Sequence, residues 1–166
     1  MGIGRDQTSG AMAGSGGADG APVHTSSDGS GIERIERPDD APAYAVDLTS
    51  LASLRSAVTR HGREFGLADG PLNDLVLIAN ELATNVVRHG GGAGRMWLWA
   101  TDGCVFCAVS DRGPGMRDAG QAGEKPSDTN ALTGRGLWLI RRMSEAVHID
   151  TSVRGTTVTV TVPVNA

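Results

Sequence analysis

Apolar residues recur along this chain at two spacings, and the change from one to the other marks out its elements. Leu51, Leu54, Val58 and Phe65 fall at the interval that lines up side chains on one face of an α-helix. Asp47 or Thr49 can accept hydrogen bonds from the free backbone donors at the start of that helix, and Gly66 begins its end. A second helix is expected from Asp69-Gly70-Pro71 to about His89, because proline at the first helical position gives up a donor that would go unpaired. Its stripe is Leu75, Ile78, Leu82 and Val86, and Gly90-Gly91-Gly92 stops it. Residues 96–101 and 104–110 are apolar runs joined by Asp102-Gly103, the dipeptide of a tight hairpin turn. Residues 113–133 are rich in Gly, Asp, Pro and Ser without periodicity, which reads as a long mobile loop of a functional kind. A third helix should follow Gly136 and bury Leu137, Ile140, Met143 and Val147, with closing strands over 147–153 and 156–162. In the last strand Val158, Val160 and Val162 alternate with Thr157, Thr159 and Thr161, as when one sheet face meets helices and the other is wetter. The pattern predicts an α+β fold, a two-layer sandwich with helices packed on one face of a mixed, mostly antiparallel sheet.

Ahead of these elements, residues 1–31 are mostly Gly, Ala, Ser, Asp and Thr, with aliphatics as scattered as Ile3 and Val23. Too little apolar surface is present there to repay ordering, so a disordered, solvated tail is expected. Ile32, Ile35, Tyr44, Val46 and Leu48, set around Pro38 and Pro42, suggest an edge strand at the start of order. The division expected is a tail over residues 1–38 and a folded domain over 39–166. A chain of 166 residues has room for one ordinary core. A net charge of -4 disfavours general attraction to nucleic acid. Cys104 and Cys107 have no second pair to complete a zinc site and read as core residues in a reducing compartment. No membrane span or secretory signal is visible, so a cytoplasmic location without membrane partners is expected.

Three separated clusters carry candidate chemistry. In Asn80-Glu81-Leu82-Ala83-Thr84-Asn85-Val86-Val87-Arg88-His89-Gly90, the residues Glu81, Asn85 and His89 stand four apart and form a polar stripe on an otherwise apolar helix. A solvated face explains such a stripe when it stands alone. In Val109-Ser110-Asp111-Arg112-Gly113-Pro114-Gly115-Met116 a buried strand ends in an acid and two glycines. A carboxylate there can accept from an exocyclic amine, and glycine permits close approach to a ring or a phosphate. Gly134-Arg135-Gly136-Leu137 precedes a helix, whose free N–H groups and dipole favour an anion. Neither the phosphate-binding P-loop nor the dinucleotide fingerprint is present.

In this order the clusters resemble the N, G1 and G2 boxes of the GHKL superfamily (gyrase, Hsp90, histidine kinases, MutL), and Gly155-Thr156-Thr157-Val158 resembles its G3 box. The likeness covers roughly residues 41–164 and is greatest to the small anti-sigma-factor serine-protein kinases. It implies an ATP-binding domain with Mg2+ held by Asn85, the adenine amine received by Asp111, base and ribose lined by Gly113 and Gly115, and the base supported by Thr156. Gly134 and Gly136 would let the lid and third helix offer backbone donors to the phosphates. Arg88 and His89 stand where relatives place a phosphate contact, although positive charge at a helix end accounts for them as well. Glu81 is the implied catalytic residue, activating a serine hydroxyl for phosphoryl transfer. His24 and His61 do not resemble a phosphoacceptor domain. The implied partners are a sigma factor and its STAS-domain antagonist, with a homodimer also open. The other function compatible with these residues is a non-catalytic module that uses nucleotide to set its affinity for a partner. Trp97 and Trp99 on one strand face, and Met96 and Leu98 on the other, offer it apolar surface. A stand-alone hydrolytic ATPase is a third class, less favoured because no transducer domain follows in the sequence.

Overall fold

The computed structural model describes residues 35–116, 119, 122–123 and 136–165. The chain divides into two units, Met1–Glu36 and Arg37–Ala166, and every element below belongs to the second. In chain order these are β1 (Ala43–Val46), α1 (Leu51–Glu64), α2 (Asp69–His89), β2 (Gly94–Thr101), β3 (Cys104–Asp111), α3 (Gly136–Met143), β4 (Ala146–Ser152) and β5 (Gly155–Pro163). The sheet order is β1-β2-β3-β5-β4. All four pairings are antiparallel, which takes the expected mixed, mostly antiparallel sheet to its limit.

Local chemistry accounts for the boundaries. Asp102 and Gly103 both have positive φ, 51° and 74°, the backbone that matches a two-residue turn to twisted strands. Asp47 Oδ1 accepts the backbone N–H groups of Thr49 and Ser50 at 2.8 and 2.9 Å, organising the approach to α1, whose N-cap position is Ser50. The second helix departs from expectation, since Ala68 is the N-cap and Pro71 is the third residue. That position is still within the first turn, where a missing N–H costs nothing. Gly91 and Gly92, at φ of 83° and 85°, turn the chain off α2 toward β2. The third helix ends at Met143, and Val147 belongs to β4 rather than to the helix.

One contiguous core lies between the helices and one face of the sheet. Met96 faces Val109, Leu98 faces Cys107, and Val109, Cys107 and Val105 face Val158, Val160 and Val162. These residues pack with Leu75, Ile78, Leu82 and Val86 of α2 and with Ile140 of α3. Burial of aliphatic side chains at this density is the main stabilising term. The opposite face is not the wetter one expected. Trp99 stacks on Phe106 with ring centroids 5.3 Å apart, and Thr159 and Thr161 are buried. Cys107 is core, but Cys104 is only half-buried, with its Sγ 3.9 Å from Glu145 Oε2.

Candidate nucleotide site

The helix-facing side of the sheet ends in a pocket of about 300 Å³ between α2, the end of β3, the start of α3 and β5. Leu82, Val86, Val109, Leu137 and Val158 give it apolar walls, and Asn85, His89, Asp111 and Thr156 bring polar groups into it. Apolar walls with a few placed polar groups are the usual make-up of a small-molecule site.

At one end stands Asp111, the last residue of β3. Its Oδ1 accepts the N–H of Gly113 at 2.8 Å and the N–H of Thr156 at 3.2 Å. No hydrogen bond among the described residues engages its Oδ2, so one carboxylate oxygen is fixed and the other is free to accept. Three glycines make this placement possible. A Cβ at Gly90 would stand 2.6 Å from the Asp111 Cβ, one at Gly155 would stand 2.1 Å from the Asp111 carbonyl oxygen, and one at Gly113 would stand 2.8 Å from the Gly90 Cα. The end of α2, the end of β3 and the start of β5 therefore meet with backbone against backbone around a single carboxylate.

At the other end, Glu81 and Asn85 reach from α2 to the start of α3. A Cβ on Gly136 would be 3.0 Å from Glu81 Oε2 and 3.8 Å from both Asn85 side-chain termini. The carboxylate thus lies against the N-terminus of α3, where the helix dipole favours negative charge. Residues 122 and 123 also reach the helix: Arg141 Nε–H donates to the Ala122 carbonyl at 2.8 Å, and Gly123 lines the pocket.

Of the residues singled out from sequence, Asn85, His89, Asp111, Gly115 and Thr156 line this one pocket, with Glu81 and Gly136 at its α3 end. Gly113 stands behind the wall against the His89 carbonyl rather than lining it. Arg88 is exposed and does not line the pocket. Gly134 lies outside the described residues, as does most of the expected 113–133 loop. Sequence reasoning gave no site role to Gly90, Gly155 or Thr151. Thr151 Oγ1 accepts the Met116 N–H at 2.8 Å and bonds Thr156 Oγ1 at 2.9 Å. The signal for it was available: a two-residue turn at Val153-Arg154 places Thr151 opposite Thr156, the register observed.

The profile of the histidine kinase-like ATPase domain matches residues 44–162, which include every described element of the pocket. This chain belongs to the histidine kinase-like ATPase family. Among curated proteins none matches it. Solved structures sharing the fold include the RsbU and RsbW domains of Rv1364c from Mycobacterium tuberculosis, at TM-score 0.55 and 20% identity over 74% of this chain and 32% of that one. Another is full-length ShkA in complex with AMPPNP, at TM-score 0.51 and 22% identity over 75% of this chain and 31% of that one. The ATPase domain thus spans about a third of each of those chains. No helix among the described residues is long and apolar enough to cross a membrane.

Proposed function

We propose that this histidine kinase-like ATPase domain binds ATP, transfers its γ-phosphoryl group to a serine of a STAS-type antagonist, and itself binds and restrains a sigma factor, phosphorylation of the antagonist switching its partner. ATP binding is supported above all by the two ends of one pocket: a carboxylate with one oxygen locked and one open at Asp111, and Glu81 with Asn85 against the α3 N-terminus. Asp111 would accept from the adenine amine, and Thr156 and Gly115 would line the base end. Gly136 lets the helix start come close enough to offer its N–H groups to phosphate. His89 enters the pocket from α2 and is the better placed of the two candidate phosphate contacts, Arg88 being outside the lining.

Asn85 is the residue that would hold magnesium, because its amide oxygen suits a hard cation. No cluster of three His, Cys, Asp or Glu among the described residues offers a competing metal site. Bound magnesium would offset the negative charge of the phosphate oxygens. Glu81 would orient the acceptor serine and take its hydroxyl proton as the serine oxygen bonds to the γ-phosphorus. The bond from phosphorus to the bridging oxygen breaks with its electron pair leaving on ADP.

Two measurements test this. Calorimetry with ATP and Mg2+ should give a saturable isotherm that Asp111→Ala abolishes. Incubation with γ-labelled ATP and a STAS-domain protein from the same cell should label that protein on serine, and Glu81→Gln should stop labelling while nucleotide still binds. Binding without transfer to any such protein would refute the kinase and leave the nucleotide-gated module; no binding would refute both.

A further inference from the structure

The face of the sheet turned away from the helices carries a second cavity, of about 310 Å³, at the end where β2 starts and β3 stops. Arg95, Trp97, Ser110 and Arg112 line it. Arg95 and Trp97 alternate with the core residues Met96 and Leu98, so both point outward, and the register sets Arg95 between Ala45 on β1 and Ser110 on β3. Asp111 borders the cavity too, but its carboxylate lies on the helix side, where a Cβ on Gly90 would stand 2.8 Å from Oδ2. Arg112 follows at once and its backbone is held, since a Cβ on Gly155 would stand 3.1 Å from the Arg112 Cα. Arg95 and Arg112 are exposed, and among the described residues no carboxylate pairs with either. Trp99, which shares this face, is buried against Phe106, whereas Trp97 is half-buried with the Arg37 guanidinium 4.5 Å over its ring.

We propose that this cavity docks an extended acidic segment of another protein, with carboxylates two residues apart. Guanidinium groups are fork-shaped donors that match carboxylates, and a chain of net charge -4 that keeps two of them unpaired at one spot concentrates positive charge there against its own average. Spacing selects the pattern. Arg95 stands opposite Ser110 and Arg112 comes two residues after it, so the two arginines are diagonal neighbours, a relation that sets Cα atoms about 7–8 Å apart in antiparallel strands. In an extended segment, residues i and i+2 share a face and stand roughly 6.5–7 Å apart, whereas adjacent residues face opposite ways. Exposed Ala43 and Ala45 on β1 keep the border low, so that a backbone can lie across it. The chain cannot supply that segment itself. Nowhere in its 166 residues do two acids stand at i and i+2, so neither its own N-terminal residues nor a second copy carries the pattern. A nucleic-acid strand, longer than the cavity, would meet exposed Asp150 on the same row, across Thr157 from Ser110. The nucleotide pocket opens on the opposite face of β3, so the proposal stands apart from the ATP reading.

Nuclear magnetic resonance titration of the full-length chain at low salt tests this, with a soluble peptide carrying Glu-Ser-Glu and an isomer carrying Glu-Glu-Ser. Two charged, hydrogen-bonded pairs correspond to an affinity on the order of 1 mM, which such a titration measures. The alternating peptide should move the amide signals of Arg95, Ser110 and Arg112 and bind about fivefold or more tightly than the isomer. Arg95→Glu and Arg112→Glu should each weaken it about fivefold or more, and added salt should weaken it as well. The double variant should in turn prefer a Lys-Ser-Lys peptide to Glu-Ser-Glu, a gain that a misfolded protein would not show. Equal affinity for the two acidic isomers, undiminished binding by either single variant, a double variant that still prefers the acidic peptide, or no binding at millimolar peptide would each overturn the proposal. So would tighter binding of a thymidine oligonucleotide through the same arginines, which would make the occupant a nucleic acid. Concentration-dependent self-association that Arg95→Glu abolishes would make it a second copy, and would overturn the proposal likewise.

Discussion

Gly90→Ala is the smallest change that should disable the base end of the pocket. The φ of Gly90 is -90°, so alanine suffers no backbone strain there, and the effect comes from the added methyl alone. That methyl would stand 2.6, 2.7 and 2.8 Å from Cβ, Cγ and Oδ2 of Asp111. Comfortable separation for carbon atoms is about 3.5 Å or more, so the carboxylate must retreat by roughly 1 Å. Such a shift stretches the bonds from Gly113 and Thr156, now 2.8 and 3.2 Å, to or beyond hydrogen-bonding range. Hydrogen bonds to a charged group contribute about 1.5–3 kcal/mol each, so weakening both should cost roughly 2–4 kcal/mol of stability and more than about tenfold in ATP affinity. Urea denaturation and calorimetry measure the two quantities. The decisive comparison is a double-mutant cycle with Asp111→Gly, which removes the Cβ, Cγ and Oδ2 that the methyl meets: in that background Gly90→Ala should cost less than about 1 kcal/mol. Equal costs in both backgrounds would refute the account, as would undiminished ATP affinity in Gly90→Ala alone.

Other perturbations follow from the same contacts. Gly155→Ala puts a methyl 2.1 Å from the Asp111 carbonyl oxygen at a φ of 142°, so it should destabilise the domain by roughly 2–5 kcal/mol in chemical denaturation. Gly70→Ala, with nothing within 4 Å, should be neutral or stabilise it by up to about 1 kcal/mol. Burial pushes the Cys107 thiol from 9.0 up to about 12, so the neutral form is favoured in the fold and the unfolded chain loses its proton first. That contribution is complete below pH 9.0 and should fall by about 1.4 kcal/mol per pH unit toward pH 12, a slope Cys107→Ala should lack in urea titrations across that range. Glu81→Gln should reduce phosphoryl transfer by about a hundredfold or more while ATP affinity changes only a few-fold.

The elements written in local chemistry were legible and those written in tertiary contact were not. Asp102-Gly103 specifies its hairpin because both residues tolerate positive φ, and the alternation from Thr157 to Val162 specifies a strand because one set of side chains meets the core. The same alternation misled about Thr159 and Thr161, since the burial of an outer sheet face depends on what lies over it and not on the strand's own pattern. Site residues divide likewise. Asn85, Asp111 and Thr156 belong to motifs that can be read in place, whereas Gly90 matters through a residue 21 positions on, Asp111. Ala68 at the start of α2 shows the converse, a cap position that helix-start preferences pass over because packing of Leu72 and Leu75 holds the helix in place.

Why the pocket lies at the end of the sheet, and why it needs so many glycines, has one physical answer. A carboxylate that is to bind a neutral amine must be ionised, oriented and only half satisfied, so donors must reach one of its oxygens and nothing may reach the other. Side-chain donors would bring rotamer freedom; backbone N–H groups from Gly113 and Thr156 bring none. Backbone can approach that closely only where Cβ atoms are missing, and Gly90, Gly113 and Gly155 remove them on each element that converges on Asp111. The mid-sheet core cannot house such a group, because Cys107 and Val160, each four residues further in along its strand from Asp111 and Thr156, are packed against α2 and offer no open side to a ligand. Where β3 runs out beside the last turn of α2, close backbone packing and an open cavity are found together. Replacing these glycines should therefore lower stability and nucleotide affinity together while leaving secondary structure in place: Gly90→Ala should keep the far-ultraviolet circular dichroism of the wild type while binding ATP more than about tenfold more weakly.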